Sequence, residues 1–194
     1  MAGNYVKSDG AGSHSPFGEA HTYFVENVLP NNIQAHKRSI HNPTSMIHNK
    51  DQTFLFIKKG TGTLTVNGID YTIKPGTLVS LGPFHIYCYT PDEGQTLEII
   101  ESRMNSGTYM YLVSNPYFKM QTFDVPSEPP VVYLQGLLKD IAYSAMEGIL
   151  VEHGKDTWDG DQLCFCYMTE LFGIVADEMG KEKRRKEAKD SRDE

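Results

Sequence analysis

The hydrophobic period of this chain changes once, and that change limits the folds open to it. From about residue 20 to 125 the apolar side chains recur at strand spacing; from about 127 they recur at helical spacing. The first part carries the segments 22–28, 44–48, 53–59, 62–68, 69–73, 77–81, 85–90, 96–104 and 108–114, all short and rich in β-branched or aromatic residues. Turn residues separate them. Asn67-Gly68 in "VNGID" supplies the φ > 0 residues of a tight hairpin. Pro75-Gly76, Gly82-Pro83, Asp92 to Gly94 and Asn115-Pro116 mark further turns. Many short strands at close spacing make an antiparallel barrel or sandwich, not a parallel α/β sheet.

The second part begins after a break at Ser127 to Pro130. "VVYLQGLLKDIAYSAMEG" places Leu134, Leu137, Leu138, Ile141, Ala145 and Met146 on one stripe, the pattern of an amphipathic helix. A polar loop, "EHGKDTWDG", follows, and Thr157 or Asp159 can cap a second helix over roughly 160–182. Its apolar face, from Leu163 through Leu171 to Met179, is widened by Phe165, Met168 and Phe172. Two helices cannot bury two such faces alone, so they pack on each other, on the strands or on another subunit. The charge run after Gly180, "KEKRRKEAKDSRDE", reads as solvated helix or disorder.

Charge and cysteine count narrow the function. The 194-residue chain has a net charge of −7, which argues against a nucleic-acid surface on it. No apolar run approaches the roughly 18–20 residues of a membrane span, and the Gly/Ser-rich start lacks the apolar core of a secretory leader. Cys88, Cys164 and Cys166 are an odd set without a disulfide framework; free thiols and a cytoplasmic location are expected.

The stretch "FLFIKKGTGTLTVNGIDYTIKPGTLVSLGPFHIYCYTPDEG" (54–94) resembles the cupin β-barrel. More narrowly, it resembles the N-terminal sensor domain of AraC-type transcription regulators. Gly60, Gly62, Asn67-Gly68, Pro75-Gly76, Gly82-Pro83 and Tyr89 stand at places that family marks. Thr77 replaces its usual Asp, and Gly-Pro-Phe replaces its Pro-Pro-Gly. The resemblance implies a mainly β fold, an antiparallel cupin or jelly-roll β-barrel followed by two amphipathic α-helices. The expected organisation is a flexible arm over 1–20, the barrel over 21–126, and a two-helix dimerisation and linker region over 127–194. It also implies a small polar molecule in the barrel and a homodimer through the helices. The tandem helix-turn-helix that reads DNA in such regulators needs about 100 further residues. The expectation is therefore an excised sensor domain whose DNA-binding part lies outside this chain. The alternatives are a free-standing metal-dependent cupin enzyme (an isomerase or dioxygenase) and a non-catalytic cupin binding protein.

Metal-dependent cupins use a His-x-His pair, a Glu four or five residues later and another His on a later strand. Here the Glu place falls on Thr53, and the pair falls on Met46 and His48 or on Ile47 and Asn49. The late place falls on Tyr87, or on His85 with a two-residue deletion. Neither register assembles the three or four ligands a metal needs, so no metal, cofactor or catalytic residue is expected.

The candidate ligand-binding residues are Arg38, His48, Phe56, His85, Tyr87 and Tyr89. His85, Tyr87 and Tyr89 alternate along one strand and so face one side. They form either a hydrogen-bonding, stacking wall for a small molecule or a structural histidine beside two packed phenols. Arg38 lies where such sensor domains can hold a polar ligand, or is an exposed cation. His48 is a ligand contact or a surface histidine. Phe56 comes from a strand whose two faces both read as packing.

Overall fold

A computed structural model describes residues 33–114, 129–155 and 157–193. The expected arm over 1–20 and the segment 22–28 lie outside the described residues. In chain order the strands are β1 (Ile33–Ile40), β2 (Ile47–His48), β3 (Gln52–Lys59), β4 (Gly62–Val66), β5 (Ile69–Ile73), β6 (Thr77–Leu81), β7 (Ile86–Pro91), β8 (Leu97–Met104) and β9 (Val131–Tyr133). The helices are α1 (Ser106–Ser114), between β8 and β9, then α2 (Gly136–Glu152) and α3 (Trp158–Asp193).

The strands form two sheets that do not close into the expected barrel. One runs β1-β8-β3-β6-β9 and the other β2-β7-β4-β5, and no ladder joins them among the described residues. The physical reason lies at the edges. β2 has two residues and β9 three, too few for a hydrogen-bonded seam the length of a sheet. The result is three layers: the four-stranded sheet, the five-stranded sheet, and the helices. The middle sheet is covered on both faces, so β6 is buried at every position and β3 at its first six. Leu55, Ile57, Val79 and Leu81 join Leu64, Val66 and Ile73 in the core between the sheets. Phe54, Phe56 and Leu78 point the other way, into a second core with Met146, Ile149, Met168 and Phe172 of the helices.

The Asn67-Gly68 hairpin forms as expected between β4 and β5, with φ of 49° and 83°. Three expectations change. The segment 108–114 is helix α1, so the described residues hold three helices rather than two. Asn105 caps it: its side-chain oxygen accepts the Thr108 backbone N–H at 2.9 Å. Tyr109 then packs on Phe172, ring centroids 5.8 Å apart, so the cap and tertiary packing override the strand-like composition. "VVY" is edge strand β9 rather than the start of a helix, and Leu134 N–H bonds the Gly76 carbonyl at 2.9 Å before α2 begins at Gly136. β1 is a full strand paired over eight residues with β8. The basic residues of "IQAHKRSI" obscure its alternation in the sequence.

Candidate functional site

The register of β8 against β1 and β3 sets the chemistry between the sheets. Leu97, Ile99, Glu101 and Arg103 alternate onto the face that looks at the four-stranded sheet. β1 adds His36, Arg38 and Ile40 to the same face. Opposite them, β7 turns Tyr87 and Tyr89 inward, paired with Val66 and Leu64 of β4. Two charged strands and one aromatic strand therefore meet across the sandwich.

Glu101 is the centre of this cluster. Its side chain is fully buried and accepts a hydrogen bond from Arg38 Nη1 at 3.2 Å and from Arg103 Nε at 2.7 Å. Arg103 Nη2 lies 2.5 Å from the same carboxylate, and His36 Nε2 lies 3.6 Å from it. The two arginines reach water at their far ends. Burial works against the Arg103 charge, but the Glu101 hydrogen bond and charge outweigh it and raise its pKa. Burial, ahead of Glu101's opposing pull, holds His36 below its ordinary range.

The phenols sit at the inner side of this charge cluster. Tyr87 and Tyr89 are fully buried and meet edge to face, centroids 5.6 Å apart. The Arg38 guanidinium lies 5.8 Å from the Tyr89 ring centroid. Neither hydroxyl makes a hydrogen bond of good geometry among the described residues, although the Tyr87 hydroxyl lies close to Arg103 and Tyr89 has no such neighbour. Burial, with Glu101 adding to it, pushes the Tyr87 phenol up to about 12, although Arg103 and Arg38 pull the other way. Burial, then Tyr87 and Glu101, pushes Tyr89 well above the ordinary range. Both stay protonated at neutral pH and are donors.

The other candidates take other partners. His85 precedes β7, and its Nδ1 accepts the Gly82 backbone N–H at 2.8 Å, which puts the ring proton on Nε2. It closes the β6–β7 turn, and its carbonyl accepts the Asn49 N–H at 2.9 Å. His48 is exposed and pairs with Ile86, so it faces outward while its neighbour Ile47 faces Tyr87. Phe56 lies on the helix side of the middle sheet, 5.9 Å from the Tyr143 ring. The structure thus brings together Arg38, Tyr87 and Tyr89, while His48 and Phe56 face away and His85 is buried at the turn that leads into β7.

The metal places hold a neutral network. Thr53 Oγ1 donates to Asn49 Oδ1 at 2.9 Å, and Asn49 Nδ2 donates to the carbonyls of Asp51, Leu81 and Gly82 at 2.6, 3.1 and 2.9 Å. No group of three or more His, Cys, Asp or Glu side chains able to hold a metal ion occurs among the described residues. A cleft of about 540 Å³ opens elsewhere, between Tyr71, Val131, Tyr133 and Met179. It contains none of the residues expected from the sequence.

Two solved structures match over most of the chain. An apo ToxT variant from Vibrio cholerae matches with a TM-score of 0.57 at 9% identity, over 75% of this chain and 56% of that one. A second ToxT structure from the same species matches with a TM-score of 0.51 at 10% identity, over 75% and 55%. The described residues share the fold of the matched part of ToxT. The identity makes that likeness distant, and the chain spans just over half the length of the ToxT chains. A cupin protein from Bacteroides fragilis matches a shorter stretch, 39% of this chain and 66% of that one, with a TM-score of 0.35 at 12% identity. No protein-family model matches the chain, and no curated protein does. Among the described residues no helix is long and apolar enough to cross a membrane.

Proposed function

We propose that this chain is the small-molecule-sensing and dimerisation domain of an AraC-type regulator, acting on a DNA-binding part outside these residues. One observation carries the reading. Among the described residues, Tyr87 and Tyr89 bury hydroxyls without a well-placed protein partner beside a buried carboxylate clamped by two arginines. A packed core that needs no ligand has no use for two such hydroxyls, since each costs stability. The resemblance of 54–94 to AraC-type sensor domains and the fold shared with ToxT support the same reading.

The site lies between β1 and β8 of one sheet and β7 of the other. The helices pack on the opposite face of the first sheet. Occupancy that shifts β1 and β8 is therefore passed to α2 and α3, provided the ligand binds the two states with different affinity. Lys37 of β1 and Lys58 of β3 both reach Glu147 of α2, at 3.0 and 3.7 Å, and give that coupling a direct contact. For the dimer, α2 and α3 offer exposed Leu137, Val151 and Leu163.

The test is a thermal-shift screen of small polar metabolites on the wild type and on the Tyr87→Phe/Tyr89→Phe double variant, with sedimentation velocity at tens of micromolar. A ligand that binds only the folded state raises the melting temperature of the wild type, and the double variant loses that rise. Ligands that stabilise both proteins equally would place binding away from the phenols. A monomer at that concentration would remove the dimer.

A further inference from the structure

The hydrogen-bonding roles already filled within the site limit the class of ligand it can take. Its acceptor is the Glu101 carboxylate, which takes N–H groups from both Arg38 and Arg103. Its donors are the two buried phenols and two guanidiniums, and two guanidiniums carry more N–H groups than one carboxylate can accept. Within ion-pair distance two arginines meet one glutamate, which leaves one positive charge; Asp51 acts on Arg103 only from farther off, and burial favours the neutral form of His36. The site thus lacks an acceptor and a negative charge. Each hydroxyl of a sugar or polyol brings one O–H donor, and the site offers those donors no free acceptor.

We infer that the molecule held here is a small organic monoanion, a carboxylate whose oxygens take the Arg38 and Arg103 guanidiniums and the Tyr87 and Tyr89 hydroxyls. The inference rests on the sensing reading above and gives it a ligand class. Glu101 then has a defined part. It holds the two guanidiniums side by side, and it lowers the site's charge from two to one, which suits a single carboxylate. The guanidinium–carboxylate pairing supplies orientation.

The experiment uses the full chain in low-chloride buffer, with benzoate and butyrate set against the isosteric amides benzamide and butyramide, and xylitol as a neutral polyol. Melting temperature and calorimetric titration are read for the wild type, Arg103→Gln, Tyr89→Phe and the surface control Lys155→Gln. The expected result is a rise in melting temperature with a carboxylate and none with its amide. The dissociation constant should increase about tenfold or more in Arg103→Gln, several-fold in Tyr89→Phe and not at all in Lys155→Gln. It should also increase with added NaCl. If amides or xylitol stabilise the protein as well as the carboxylates do, the ligand class is wrong and the sensing reading stands. If carboxylates bind but Arg103→Gln is unaffected, the residues assigned are wrong. If nothing in the three sets shifts the wild type, the carboxylate class is wrong, and the wider metabolite screen decides the sensing reading separately.

Discussion

Tyr89→Phe should make this protein more stable, the reverse of what removing a tyrosine hydroxyl does when that hydroxyl is bonded. The Tyr89 side chain is fully buried and its hydroxyl has no partner among the described residues. Leaving such a group unsatisfied costs about 1–3 kcal/mol, and deleting it recovers that cost. The ring stays. The variant's phenyl ring would keep the edge-to-face contact with Tyr87 and the face presented to Arg38. Against the gain stand only the dispersion contacts of one oxygen atom, about 0.5 kcal/mol in all. The net expectation is a gain of about 1 kcal/mol, or about 2–4 °C in melting temperature for a chain of this length. Tyr143→Phe is the matched control. Its hydroxyl donates to Glu147 Oε1 at 2.9 Å, so its loss should cost about 1 kcal/mol. Urea denaturation of ligand-free protein reads both, as shifts in midpoint at constant slope. If Tyr89→Phe destabilises as much as Tyr143→Phe does, the Tyr89 hydroxyl is bonded within the protein and the argument for a ligand there is lost.

Glu101→Gln should cost about 2–4 kcal/mol in the same assay, because it leaves two guanidiniums facing a neutral amide; the value falls short of a fully buried pair since both arginines reach water. Gly148→Ala should lose about 1–3 kcal/mol, since a β-carbon there would stand 2.5 Å from the Tyr167 ring and force α2 and α3 apart, whereas Gly173→Ala, in open space, should be neutral or slightly stabilising. His36 gives a pH dependence of known sign. Its folded-state pKa lies below 6.5, mainly through burial, so the unfolded chain binds the proton more tightly. Its contribution is present above about pH 6.5 and is lost as pH falls through the depressed folded value. Urea midpoints at about pH 7.5 and pH 5.5 should therefore differ less in His36→Gln than in the wild type.

The β4–β5 hairpin is legible in the sequence because local chemistry dictates it. Asn67-Gly68 can only turn, and the apolar alternation on either side matches β4 and β5. Sequence and structure part where a non-local partner decides. The segment 108–114 has strand composition, yet Asn105 caps a helix there and Phe172, more than sixty residues from Tyr109, receives its face. Closure of the sheets depends on the lengths of β2 and β9, which pairing partners set rather than composition. The site follows the same rule. His85 draws attention because histidine near a glycine turn is what a metal site needs, but the Gly82 N–H already occupies its Nδ1. Glu101 and Arg103 draw none, because "LEIIESRM" reads as an ordinary strand with polar breaks. The alternation is nevertheless present: Leu97, Ile99, Glu101 and Arg103 share one face, and a carboxylate beyond two apolar neighbours on a central strand must be buried. A buried carboxylate must be paired, so the sequence requires a cation on a neighbouring strand. The alternation of "IQAHKRSI" offers Arg38, and the structure pairs it. The buried charge, rather than the histidine, is the sequence signal that leads to the site the fold builds.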